Sequence, residues 1–350
     1  MQVLIEWMIR SSLLIAVGAA LLWVSRASDA SARLAAWTAM LAASAAIPFL
    51  GLTMPRFTVV TPRAVEHAID PPVEAPVFRT DAPRLETAEP VAGAAPERSK
   101  RAANSASRNR DAGQSVVGSR WPNLNWMDAG ALVYAGIAAA LLLRVIAGLL
   151  VTLRLLRRSR ATEAAGIREC DRVGAPVTLG VLRPQVVLPV DWREWDELRL
   201  EAVLAHERSH IRRFDPLVQL LSAIHRAILW ASPLSWLVHS RIVRSAEDAS
   251  DDAAILAINN RECYAETLLG FMQRGMWRSG FAVPMARHGE PRKRIDRILD
   301  STTLSRGLTW RSGVAIAAIA SPLAYVAAVA QTKPAFDAAV VEVSPRSVWV

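Results

Sequence analysis

Four stretches of this 350-residue chain are apolar enough to cross a bilayer, and they constrain everything else it can fold into. Residues 2–24 carry only Glu6 and Arg10, residues 34–54 carry no charge, residues 129–153 are interrupted only by Arg144, and residues 312–330 are rich in alanine. A helix needs roughly 20 such residues to span the hydrocarbon core. The first stretch has a rival role as a signal peptide, because Ala30-Ser31-Ala32 resembles a cleavage site. Against that, no positive residue precedes Glu6 and a second apolar stretch follows almost at once. Four transmembrane helices are therefore expected.

Arginines flank these segments on one side. Arg26 and Arg33 lie between the first two, Arg154, Arg157, Arg158 and Arg160 follow the third, and Arg306 and Arg311 precede the fourth. Excess positive charge in short loops marks the cytoplasmic side. This places the N-terminus, residues 55–126 and residues 331–350 outside, and residues 154–311 in the cytoplasm. The cluster Arg98, Lys100, Arg101, Arg108 and Arg110 falls outside, but in a loop too long for the rule to govern. That loop is rich in Pro, Ala, Glu, Ser and Arg and is expected to be disordered, with Trp121 and Trp126 at the interface above the third span. Arg144 is expected to snorkel toward the cytoplasmic face.

Composition narrows the classes further. With 52% of residues hydrophobic, the chain is not disordered throughout, and with 21% charged it is not made of spans alone. Two cysteines, Cys170 and Cys263, exclude a disulfide scaffold and are expected to be reduced thiols. The net charge of +9 suits nucleic acid or anionic lipid. Because the charge is spread among membrane flanks and one loop rather than gathered in a patch, it argues against direct nucleic-acid binding.

Residues 154–311 have the composition of a small domain. Residues 175–189 predict two short β segments around a turn. Helical periodicity runs through 196–213, 217–229, 234–257 and 261–276, with a break at Ala231-Ser232-Pro233. The expected class is a mainly α membrane protein with a domain of helices plus a small β-sheet.

Within the first of these helices lies His206-Glu207-Arg208-Ser209-His210, an HExxH sequence. Histidines four apart share a helix face, so both imidazoles can reach one cation. A glutamate beside the first can deprotonate a metal-bound water. Position 213 is Arg and 216 is Pro, so no third histidine follows at metzincin spacing. A glutamate on a second helix would complete the set, and Glu247 in the run Glu247-Asp-Ala-Ser-Asp251-Asp252 supplies it. Glu247 and Asp251 are four apart on one helical face, so one can ligate while the other hydrogen-bonds a ligand imidazole, and Asp215 either orients His210 or is a helix-terminal turn residue. His225, His239 and Tyr264 are alternatives for polarising a scissile carbonyl, and the sequence does not choose among them. Arg208, Arg212 and Arg213 form a basic stretch open to an acidic substrate or lipid headgroups.

The strings HERSHIRRFDPL, LWASPLSWL, EDASD, YAETLL and KRIDRIL, in this order, resemble the antirepressor membrane zinc peptidases, the BlaR/MecR-type penicillin-receptor signal transducers. GVLRPQVVLP resembles the segment that family carries ahead of its zinc helix. The resemblance covers roughly residues 1–330. It implies a gluzincin-like fold with Zn2+ on His206, His210 and Glu247 and with Glu207 as general base. It also implies cleavage of a cytoplasmic transcriptional repressor once a signal crosses the membrane. Drug-sensing members carry an external penicillin-binding domain after the fourth span. Here residues 331–350 hold no Ser-x-x-Lys motif, so acylation by a β-lactam is not expected. Sensing would then fall to the external loop, the tail, a partner protein or a second copy of the chain.

Two other function classes fit the same residues. One is a receptor or scaffold whose metal is structural, which needs the ligands but not Glu207. The other is a quality-control protease acting on misfolded membrane proteins. For the peptidase, a bound peptide is expected to add to a strand edge near 177–182 or 186–188.

Overall fold

The computed structural model describes residues 2–53, 57–59, 126–164, 166–278, 291–300 and 304–332. Four helices have the length and hydropathy of membrane spans: α1 (Gln2–Val24), α2 (Ala30–Thr53), α3 (Trp126–Arg158) and, near the end of the described chain, a helix over Trp310–Val329. Strand β1 (Phe57–Val59) follows α2. Apart from 57–59, 126 and 331–332, the loop at 55–126 and the tail at 331–350 lie outside the described residues.

After α3 the chain forms β2 (Arg160–Ala161), β3 (Ile167–Glu169), β4 (Val177–Leu179) and β5 (Gln185–Leu188) in one four-stranded sheet of order β2-β3-β5-β4. β4 and β5 are the two expected segments around a turn and pair antiparallel, with Thr178 opposite Val186, while β3 runs parallel to β5. β2 and β3 have no counterpart in the sequence expectations. They are two and three residues long, too short to show alternation. β5 lies inside the sheet and β4 at its edge, so of the two segments expected to receive a peptide only the first is an edge.

Four helices follow: α4 (Glu197–Arg212), α5 (Asp215–Ile228), α6 (Pro233–Ile258) and α7 (Arg261–Arg278). Their ends obey local chemistry. The Asp196 side chain caps α4 by accepting from the Arg199 amide, Pro233 opens α6, and Asn259 closes it in the left-handed conformation with φ 50°. Then come α8 (Pro291–Leu299), the fourth span α9 (Trp310–Val329) and β6 (Ala330–Thr332), which pairs in parallel with β1.

The core is continuous between the spans and the block at 154–311. Leu14, Ile15, Trp37, Met40 and Leu41 of α1 and α2 are buried together with Val238, Ile242 and Ala246 of α6 and Ala324 of α9. A second core joins Ala202 of α4, Ala254 and Ile255 of α6, Tyr264 of α7 and Ile298 of α8. Helix α6 takes part in both and connects the membrane helices to the chemical groups described next.

Candidate metal centre

Helices α4 and α6 pack side by side and bring His206, His210 and Glu247 together, with one ligand atom from each within 4.8 Å of the others. The two Nε2 atoms lie 3.3 Å apart. Oε1 of Glu247 is 3.6 Å from His210 Nε2, and its Oε2 is 3.9 Å from His206 Nε2. Two nitrogens at about 2.05 Å from a tetrahedral cation would stand about 3.3 Å apart, so the donor set fits a divalent metal.

The opposite side of each imidazole is held. His210 Nδ1 donates to Asp215 Oδ2 at 2.7 Å, and His206 Nδ1 donates to the Tyr264 hydroxyl at 2.8 Å. Tyr264 passes its own proton to Asp251 Oδ1 at 2.7 Å. With Nδ1 of each imidazole engaged this way, both Nε2 atoms are left facing the Glu247 carboxylate. In the neutral tautomer that such Nδ1 bonds favour, the two Nε2 lone pairs and a carboxylate oxygen are available to one cation.

Asp215 reaches His210 through a sharp corner. Arg213 ends α4, Phe214 takes the left-handed conformation with φ 56°, and Pro216 sits in the first turn of α5. A left-handed non-glycine residue costs on the order of 1–2 kcal/mol, which the packing and the carboxylate bond offset. Arg213 then donates to Asp215, to Ser250 and to the Ala246 carbonyl, tying the corner to α6.

The acidic run on α6 is buried rather than a solvated face. Asp251 is 0% exposed and Asp252 1%. Each carboxylate meets an arginine from another helix: Asp248 meets Arg33 of α2, Asp251 meets Arg294 of α8, and Asp252 meets Arg297 of α8. Arg294 also places Nη1 2.7 Å from Glu247 Oε2. Burial opposes ionisation of Glu247, but Arg294 and the two imidazoles outweigh it and hold the carboxyl below its usual range. Burial likewise opposes the Asp251 charge, and Arg294 with His206 overcomes it by more. For His210, burial disfavours the cation, while Asp215, Glu247 and Glu207 favour positive charge and prevail.

Glu207, next to His206 on α4, is buried, and its Oε2 accepts from Thr178 Oγ1 at 2.7 Å. Thr178 also donates toward the Glu207 carbonyl at 3.2 Å. Edge strand β4 is thereby fastened beside the carboxylate.

A family model described as BlaR1 peptidase M56 matches residues 59–298, well over half of the chain. The chain belongs to the BlaR1 peptidase M56 family. With its four candidate membrane helices and its His-His-Glu cluster it is a membrane metallopeptidase of that family. It is 29% identical over 102 residues to the regulatory protein BlaR1 of Bacillus licheniformis. It is 25% identical over 102 residues to the methicillin resistance mecR1 proteins of Staphylococcus aureus and Staphylococcus epidermidis. In each case the match covers 28% of this chain and 17% of the relative, so the chain spans about a sixth of the length of the curated relatives it matches.

In this M56 peptidase the three alternatives for an electrophile each bond a different partner. His225 Nε2 lies 2.8 Å from Ser44 Oγ on α2. His239 Nδ1 lies 2.7 Å from Ser222 Oγ on α5. Tyr264 is at the centre but behind His206, on the side away from the convergent Nε2 atoms. Burial and the Asp251 charge push its hydroxyl well above the usual phenol range, so it stays a neutral donor. Thr178, Arg213, Arg294 and Arg297 contribute to the M56 centre without having been singled out for it in sequence. Arg213 lay in the HERSHIRRFDPL string and Arg294 and Arg297 in the charged KRIDRIL string, whereas Thr178 carried no signal.

Proposed function

We propose that the protein is a zinc endopeptidase of the gluzincin type that cuts a cytoplasmic transcriptional repressor when a signal crosses the membrane. The observation that carries this is the convergence of His206, His210 and Glu247 beside Glu207. Bound to the three ligands, Zn2+ would acidify a water and polarise the peptide carbonyl. Glu207 takes the proton from the attacking water and returns it to the leaving amine, and Thr178 keeps its carboxylate aimed. Asp215 and Tyr264 hold the imidazoles in the tautomer that ligation needs. A peptide adds to the outer edge of β4 and so lies across the Glu207 carboxylate. The arginine-rich flanks support a cytoplasmic position for residues 154–311 in the bacterial inner membrane. The regulatory protein BlaR1 of Bacillus licheniformis, a relative named for regulation, supports signalling over housekeeping proteolysis.

The test compares new protein N-termini in cells expressing the wild type or Glu207→Gln, with metal content of both purified proteins measured by mass spectrometry. One zinc per chain in both proteins, with a cut in a DNA-binding repressor seen only for the wild type, is the expected result. Cleavage by Glu207→Gln at the wild-type rate removes the peptidase mechanism. Cuts confined to misfolded membrane proteins would assign quality control instead.

A further inference from the structure

We infer that α5 and the first half of α6 form a re-entrant hairpin that dips into the bilayer beside the spans, with lipid acyl chains as the partner of its exposed apolar face. Depth follows from contacts with helices that themselves cross. His225 on α5 bonds Ser44, which lies about 21 Å along α2 from Ala30 at roughly 1.5 Å per residue. Ser232 at the tip of the hairpin bonds Ser12, near the middle of α1, at 2.8 Å. Tyr134, inside the apolar part of α3, stacks on Trp230 with ring centroids 5.3 Å apart. The second half of α6, from Asp248, is level with the turn between α1 and α2. There Asp248 pairs with Arg33, and Ser305, whose amide Asp252 accepts, bonds Asp29 and Ser31. From Glu247 to Pro233 is again about 21 Å along α6, roughly two-thirds of a hydrocarbon core.

The hairpin is built as a segment without water must be. Carbonyls in a turn at that depth have no solvent to bond, so the protein has to supply donors. Ile228 O accepts from the Tyr134 hydroxyl at 2.6 Å, and Leu229 O from Ser235 Oγ at 2.9 Å. Trp230 O accepts from Trp236 Nε1 at 2.9 Å, and Ser232 O from Ser235 Oγ at 2.7 Å. Between residues 217 and 240 the only formally charged side chain is Arg226. Its guanidinium lies 4.6 Å from the Trp236 ring centroid, a contact that offsets part of the cost of a charge at depth. Leu221 and Trp236 are 50% and 42% exposed although they sit at the depth of the spans. Exposed Arg244 and Arg241 lie about 5 and 9 Å from Glu247 toward Pro233, close enough to the boundary for their long side chains to snorkel up to headgroup phosphates. The candidate metal centre thereby stands at the membrane boundary.

The test uses the full chain in nanodiscs, where both faces meet water, with Cys170 and Cys263 replaced by serine. Single Leu221→Cys, Trp236→Cys and, as reference, Leu198→Cys variants carry an environment-sensitive fluorophore. Phospholipids spin-labelled near the acyl terminus should quench the first two at least about threefold more strongly than the reference on α4. A water-soluble maleimide should label only the reference until detergent is added. Hydrogen exchange of the unmodified protein, which no substitution can perturb, should show the amides of 217–240 protected to the level of α2. Quenching equal to the reference, full maleimide labelling in nanodiscs, or rapid exchange across 217–240 would each overturn the hairpin.

Discussion

Arg294 of α8 binds Glu247 and Asp251 at once, with Nη1 2.7 Å from Glu247 Oε2 and Nη2 2.6 Å from Asp251 Oδ1. One guanidinium therefore balances a candidate metal ligand and the carboxylate that positions another ligand through Tyr264. Removing one partner of such a buried pair leaves the other charge unpaired, at a cost of about 3–5 kcal/mol. Arg294→Met is expected to lower the unfolding temperature and the bound metal together. Arg294→Lys, with a single donor group, should recover only part of both. Thermal unfolding and metal stoichiometry of the two variants in detergent check this.

Asp215 bonds His210 Nδ1 at 2.7 Å. Loss of a carboxylate behind a ligand imidazole typically weakens metal binding about 10–100-fold. Asp215→Asn should show that loss in a chelator competition, while Phe214→Gly, which suits the left-handed corner, should leave metal affinity unchanged.

Tyr264 stands between His206 and Asp251 rather than facing the convergent donors. Tyr264→Phe is expected to weaken metal binding about tenfold, as for other outer hydrogen-bond partners. At saturating metal its kcat should stay near the wild-type value. A fall in kcat of about 10²–10³ with metal affinity intact is what loss of an oxyanion donor produces, and it would reassign Tyr264 to that role.

Thr178 fastens β4 to the Glu207 carboxylate at 2.7 Å. Thr178→Val should reduce kcat about tenfold, because a misdirected base loses part of the usual general-base contribution. Thr178→Ser should restore it. Metal content should be the same in both, since Thr178 touches no ligand imidazole.

The spans, the main helices and the His206, Glu207 and His210 set could be read from sequence because their information is local. Hydropathy over twenty residues, a 3.6-residue period and a four-residue histidine spacing need no knowledge of the fold. Glu247 was reachable because a tetrahedral site with two histidines asks for a third ligand and one acidic run stood on a neighbouring helix. Strands of two or three residues gave no periodic signal, and β3 was seen only through its pairing with β5.

Sequence alone thus determined that this chain carries four candidate membrane spans, with a helix bearing two candidate metal ligands between the third and the fourth. Tertiary structure decided the rest. It buried the acidic run, because arginines from α2 and α8 meet it carboxylate by carboxylate, a match between distant segments that no local pattern encodes. It turned Tyr264 behind His206 and sent His225 and His239 to other helices, because side-chain partners follow from packing rather than spacing. It also drew the apolar stretch at 217–240 against α1, α2 and α3. A segment too short to cross the membrane can still share its depth when neighbouring helices satisfy its backbone.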